Sequence, residues 1–177
     1  METTNFKIVS SNSNVEWTGR KVTGAHNGTI GIKEGNFILN GGKVKGGNIV
    51  INTSTIKILD ITDIEANEQF AGHLASDDFF SIEKFPTASF DILSVKEVAD
   101  STYYLEGNLT IKDISHVVGF EASLENVENA ITVSGKLVID RTKYDIRFRS
   151  GNFFKDLGDT LIYNDFELDF NITAQAI

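Results

Sequence analysis

Three histidines, His26, His73 and His116, are the first candidates for acid–base or metal chemistry in this sequence. They are far apart, with no i, i+4 pair and no zinc-type spacing, so no metal centre is expected. The absence of cysteine removes disulfides, thiolate catalysis and cysteine metal sites. Carboxylates are plentiful, but none stand out as the paired acids of a glycosidase. There is no G-x-S-x-G elbow and no phosphate-cradling glycine loop, so catalysis and a resident cofactor are not expected. The remaining polar candidates admit two roles each. His26 shares the strand parity of Ile30 and Ile32. It is either a hydrogen-bonded structural histidine or a polar group holding one end of a ligand in an apolar interior. His73 sits at the end of a helical segment, as a loop-fixing contact or a ligand contact. Asp140, Arg141, Lys143, Asp145, Arg147 and Arg149 form a charge-rich strand end. They serve as a solvated rim, or Arg141 meets a ligand head group.

The elements that must position these groups are mostly strands. From Asp165 to Ala176, Phe166, Leu168, Phe170, Ile172, Ala174 and Ala176 take one parity and polar residues the other. Alternate residues of a strand point to opposite faces, so this strand has one dry face and one wet face. The same alternation runs through Tyr103–Ile111, Val118–Leu124 and Ile131–Ile139, and more weakly around Val15–Trp17, Ile30–Ile32, Ile49–Ile51 and Ala88–Ile92. Polar or glycine-rich pairs, Glu34-Gly35, Gly41-Gly42, Gly46-Gly47 and Ala99-Asp100, together with Asn126–Asn129, read as turns. One segment, Asp63 to Ser76, has helical spacing through Ile64, Phe70 and Leu74, with Asp63 as N-cap. A helical turn is expected within Asn152–Asp159.

Together these predict one all-β domain over residues 1–177, with about eight antiparallel strands and a short helix-loop insertion. A sheet with one apolar face and a single small helix has little to cover it. Closing it into a barrel buries that face and removes its edges, although a sandwich uses the same alternation. Phenylalanine is abundant, at 13 residues, and there is one proline. Inward parity carries Trp17, Phe90, Phe120, Phe166 and Phe170, with small residues such as Gly107, Ala122 and Gly135 between them. Large and small residues in alternation either fill a tapered barrel or leave a pore.

The net charge of −9 argues against nucleic acid and against broad attraction to anionic membranes. No apolar run reaches membrane-helix length. The N-terminus shows no basic-then-apolar leader, so the chain as it stands reads as cytoplasmic, or as periplasmic if a leader has been removed.

Four segments carry a family resemblance. His73-Leu74-Ala75-Ser76-Asp77-Asp78-Phe79-Phe80 with Phe85-Pro86 resembles the H-L-x-S-x-D-F-F…[YF]-P signature of YceI-like proteins. Val15-Glu16-Trp17-Thr18-Gly19 to His26-Asn27-Gly28-Thr29-Ile30 is similar to that family's opening strands. Leu109-Thr110-Ile111-Lys112 to Val118 and Asp140-Arg141-Thr142-Lys143-Tyr144 resemble two later segments. The resemblance implies a lipocalin-like, up-and-down barrel with an elongated apolar pore. It further implies a long-chain isoprenoid or related lipid as ligand, such as a polyprenyl chain, an isoprenoid quinone or a fatty amide. A homodimer is also compatible with it. Phe79, Phe80 and Phe85 would then stand at the pore mouth. Two departures remove positive charge: Ala75 replaces a position often basic, and Asp113, Ser115 and His116 replace Gly, Thr and Lys. They favour a neutral or weakly polar head group over a diphosphate.

Overall fold

The computed structural model describes residues 3–177. Among these residues nine strands follow in order: β1 (Thr3–Ile8), β2 (Asn14–Lys21), β3 (Gly24–Asn40), β4 (Lys43–Ile58), β5 (Thr87–Ala99), β6 (Thr102–Ile111), β7 (Ile114–Val127), β8 (Ala130–Asp140) and β9 (Ile162–Ala176). A single α-helix among the described residues, α1 (Ile64–Ala75), lies between β4 and β5. From β2 onward each strand pairs antiparallel with the next, and β9 pairs back onto β2. The sheet is therefore a closed, up-and-down ring of eight. β1 shares the place of β2 in that ring. β2 covers β3 over residues 24–30, β1 covers it over 36–40, and both border β9. Closure decides between barrel and sandwich, because the apolar parity of every strand turns into one interior.

Two sequence expectations are corrected. Glu34-Gly35 lies inside the continuous strand β3, and Gly46-Gly47 inside β4, so neither pair is a turn. The register between these strands shifts after Ile32 and after Ile38, which marks bulges. Gly35 faces Ile49, where an added Cβ would meet the Asn48 carbonyl and the Ile8 side chain. The glycines allow close backbone approach along a strongly bent hairpin; the chain reverses at Gly41-Gly42.

Helix α1 begins where expected. The Asp63 carboxylate accepts from the Ala66 N–H at 2.9 Å, satisfying a first-turn donor. The Asn67 side chain donates to the carbonyls of Ile58 and Ile61 at 2.9 and 3.0 Å, which fastens the helix to the end of β4. Leu74 is buried and Phe70 half-buried, whereas Ile64 is exposed and takes no part in the inward face. In the second loop, residues 141–161 between β8 and β9, a helical turn falls at Gly158–Thr160, overlapping the end of the expected 152–159 range.

The interior divides along the barrel axis. One end is filled by Phe6, Phe37, Leu39, Leu105, Ile131 and their neighbours. At the other end α1 and residues 141–161 cover the opening. There β7 and β8 diverge: their pairing stops at Ala122 and Gly135. The turn Arg141–Tyr144 packs against β7 at this end. Tyr144 meets the His116 ring edge-on at 5.2 Å, and His116 Nε2 donates to the Lys143 carbonyl at 2.9 Å.

Candidate functional site

Beneath α1 and the 141–161 segment the barrel encloses an apolar cavity of about 370 Å³. Its walls are inward residues of the strands: Trp17 on β2, Ile30 on β3, Ile51 on β4, Leu109 on β6, Ile139 on β8 and Phe166 on β9. Phe70, Leu74, Phe79 and Phe80 come from α1 and the turn after it; Ile146 and Phe148 come from the second loop. The cavity ends at a row of aromatic rings. Phe90 and Phe120 stand 5.3 Å apart between centroids, and Phe120 and Phe170 stand 5.4 Å apart. Phe90 and Phe170 are the next inward residues after Ala88 and Leu168, which line the cavity. The three rings therefore separate the hollow end from the filled one.

A few polar groups reach this space. The Trp17 indole donates to the Lys57 carbonyl at 3.1 Å. His26 Nδ1 lies 2.8 Å from the Asp60 carboxylate, and its ring meets Phe70 edge-on. Burial pushes the Asp60 carboxyl up, but the Asn27 N–H and His26 together outweigh it and hold it below its ordinary value. His73 contacts Asp78 at 3.1 Å and stands between the rings of Phe79 and Phe148. Arg141 is 4% exposed. Its guanidinium donates to the carbonyls of Tyr163, Ile146 and Ile162 at 3.0, 2.8 and 3.0 Å. Burial lowers its pKa, with the Asp140 charge acting against that shift. These contacts tie the second loop to β9 while the side chain still borders the cavity.

Of the residues singled out in the sequence, Trp17, His26, Ile30, His73, Phe79, Phe80, Arg141 and Phe166 line this one cavity. Phe90, Phe120 and Phe170 instead form the aromatic floor beneath it. Phe85 is removed from the lining: it sits in the turn before β5, where its N–H donates to Ser81 and its carbonyl accepts from Thr53, both at 2.9 Å. Sequence reasoning missed Phe148 and Ile146, which lie in a segment without strand or helix periodicity. Phe70 was legible as part of the helix pattern but not as a cavity residue. The lining histidines are each engaged by an aspartate, and the described residues hold no cluster of three or more metal-ligating side chains.

A closed, up-and-down antiparallel barrel with a capped apolar chamber has a lipocalin-like architecture. The chain belongs to the YceI-like family: the family model for the YceI-like domain matches residues 6–174. It is 34% identical over 82 residues to a UPF0312 protein of Yersinia enterocolitica, covering 46% of this chain and 38% of that one. It is 31% identical over 111 residues to Protein YceI of Salmonella arizonae, covering 63% and 53%. The chain thus spans about half or less of the length of these curated relatives. The crystal structure of Burkholderia cenocepacia BcnA superposes with a TM-score of 0.73 at 18% identity, covering 95% of this chain and 99% of that one. A polyisoprenoid binding domain from Saccharophagus degradans, implicated in plant cell wall breakdown, gives 0.70 at 11% identity, with 97% and 98% covered. No α-helix of the described residues is long and apolar enough to cross a membrane.

Proposed function

We propose that this protein binds the apolar tail of an isoprenoid or related lipid in the capped chamber and carries or sequesters it. The chamber itself carries the reading: an apolar space about 370 Å³ in volume, closed by aromatic rings at one end and covered by α1 and the second loop at the other. That volume falls in the range of small-molecule sites, roughly 300–1,000 Å³. The polyisoprenoid binding domain among the structural neighbours supports the same ligand class. Affinity would come from burial, at about 0.8 kcal/mol for each methylene taken out of water. The few polar groups near the cover would set the direction of the chain. Nothing in the lining organises an acid and a base around a reacting atom, which favours binding over turnover.

Mass spectrometry of an organic extract from natively purified protein tests this reading. A lipid recovered in stoichiometric amount supports it and identifies the tail. A clean extract, together with unchanged Trp17 fluorescence on adding geranylgeraniol, would sink it and leave a β-barrel that works through its outer surface.

A further inference from the structure

The mouth of the chamber carries a surface that the binding of a lipid tail does not use. Phe153 and Phe154 are adjacent, 48% and 45% exposed, and neither lines the cavity. They are not on a loose loop. Both N–H groups donate to the Ser150 carbonyl, at 3.1 and 3.0 Å. Ser150 is fully buried, and its hydroxyl donates to the Asn164 side chain at 2.6 Å. The turn therefore presents two large apolar rings to water on a fixed base. Tyr163, 48% exposed, borders the cavity, and Val22 at the β2–β3 tip, 47% exposed, donates its N–H to Leu161. Rings and chamber mouth thus belong to one end of the barrel.

Charge around these rings runs against that of the whole chain. Leaving aside the buried Arg141, residues 142–160 hold four Lys or Arg and three Asp, so the entire acidic excess of this −9 protein lies elsewhere. Arg147 stacks its guanidinium 4.7 Å from the Phe153 ring centre, while Asp145 takes an ion pair from the same side chain at 3.2 Å. Arg149 lies 4.9 Å from the Phe148 ring, and Lys155 follows the exposed pair directly. Across the mouth, the α1 side is acidic, with Asp60, Asp63, Glu65 and Glu68. Aromatic rings beside long cationic side chains suit the boundary between lipid head groups and acyl chains.

We propose that this end of the barrel docks on anionic lipid bilayers. The Phe153–Phe154 turn enters the head-group layer, Arg147, Arg149 and Lys155 meet the lipid phosphates, and the acidic α1 side tilts away. Docked in this way, the chamber mouth faces the bilayer, where a lipid tail would enter or leave. That last consequence rests on the lipid-binding reading; the docking does not.

The test is vesicle flotation of the full chain at low salt. One set of vesicles is phosphatidylcholine alone; the other replaces about a third of it with phosphatidylglycerol. Wild type is expected to float with the anionic vesicles and to stay behind with the neutral ones. Phe153→Ser with Phe154→Ser is expected to lower partitioning about tenfold or more, as befits the loss of two inserted rings. Arg147→Gln with Lys155→Gln, which leaves the rings in place, is expected to erase the preference for anionic lipid. Neither pair lines the chamber, so thermal unfolding and the Trp17 emission maximum should be unchanged. Equal partitioning of wild type on both vesicles, or undiminished binding by the serine variant, overturns the proposal. So does a wild-type dimer that the serine variant converts to monomer with no vesicle binding, since the rings would then join two copies of this chain. A lipid-free extract beside intact docking would count against the carrier reading alone.

Discussion

The indole of Trp17 on β2 packs over Gly28, its direct cross-strand partner on β3, and reaches past it to the Lys57 carbonyl on β4 at 3.1 Å. A Cβ at position 28 would collide with that carbonyl and come within 2.7 Å of the indole. Three strands of the wall are thereby tied at one point on the edge of the chamber. Gly28→Ala is expected to cost about 1–3 kcal/mol, the usual range for an overpacked interior. It should also shift the emission of Trp17, the sole tryptophan. Urea unfolding followed by circular dichroism checks the first effect. A midpoint equal to wild type would mean that the wall opens freely there.

The aromatic floor sets the depth of the chamber. Phe120 stands between Phe90 and Phe170, within 5.5 Å of each, and is only half-buried itself. Phe120→Ala removes the central ring and deepens the chamber by the volume that ring fills. Stability should fall by about 3 kcal/mol, at the lower end for truncating a core phenylalanine. If tails are held in the chamber, the preference for geranylgeraniol over the shorter geraniol should rise about tenfold or more, because additional methylenes become buried. Competition against a fluorescent fatty acid measures the ratio. An unchanged ratio in a folded variant would place the ligand elsewhere.

The strands and the chamber wall were legible because each strand has one dry face. Phe166, Leu168 and Phe170 read directly as inward residues, and they are. Parity gives direction but not depth. It places Phe90 and Trp17 in the same interior without telling that one closes the chamber and the other lines it. Asp63 announced the helix because its carboxylate has a first-turn N–H to accept. Gly35 and Gly47 misled because a bulged, tightly paired strand needs glycine for the same reason that a turn does: backbone must pass close to backbone. Ile146 and Phe148 were invisible as site residues. Their segment has no regular period, and it is positioned by long-range contacts of Arg141 that local sequence does not encode.

Arg141 holds that segment in place. Its three hydrogen bonds reach Ile146 on one side and Ile162 and Tyr163 on the other, so a single side chain brackets the entire second loop. Arg141→Met keeps much of the apolar stem but strands three carbonyls, at roughly 1–3 kcal/mol for each that stays buried and unpaired. Partial access of water to the loosened loop should keep the total near 3 kcal/mol. Hydrogen exchange is the discriminating readout: amides of 146–162 should exchange faster, while those of β6 and the filled end keep their protection. Uniform loss of protection would indicate global destabilisation instead of release of the cover.

The neighbouring Tyr144 makes a pH-dependent prediction. Its ring is 1% exposed, and its hydroxyl has no hydrogen-bond partner among the described residues. Burial, reinforced by the Asp140 charge, pushes the phenol up to about 12 from its ordinary 10. The folded state thus binds this proton more tightly than the unfolded chain does. The resulting stability is fully present below pH 10 and drains away as pH rises toward about 12, because the unfolded chain ionises first. Tyr103, also pushed up by burial, adds to the same alkaline loss. Tyr144→Phe removes both the titration and the stranded hydroxyl. It should leave the protein as stable as wild type or about 1 kcal/mol more stable near neutral pH. It should also flatten part of the decline between pH 10 and 12 that urea midpoints record for wild type. A variant less stable than wild type at pH 7, with the same alkaline slope, would show that the Tyr144 hydroxyl is satisfied after all, through a bound water.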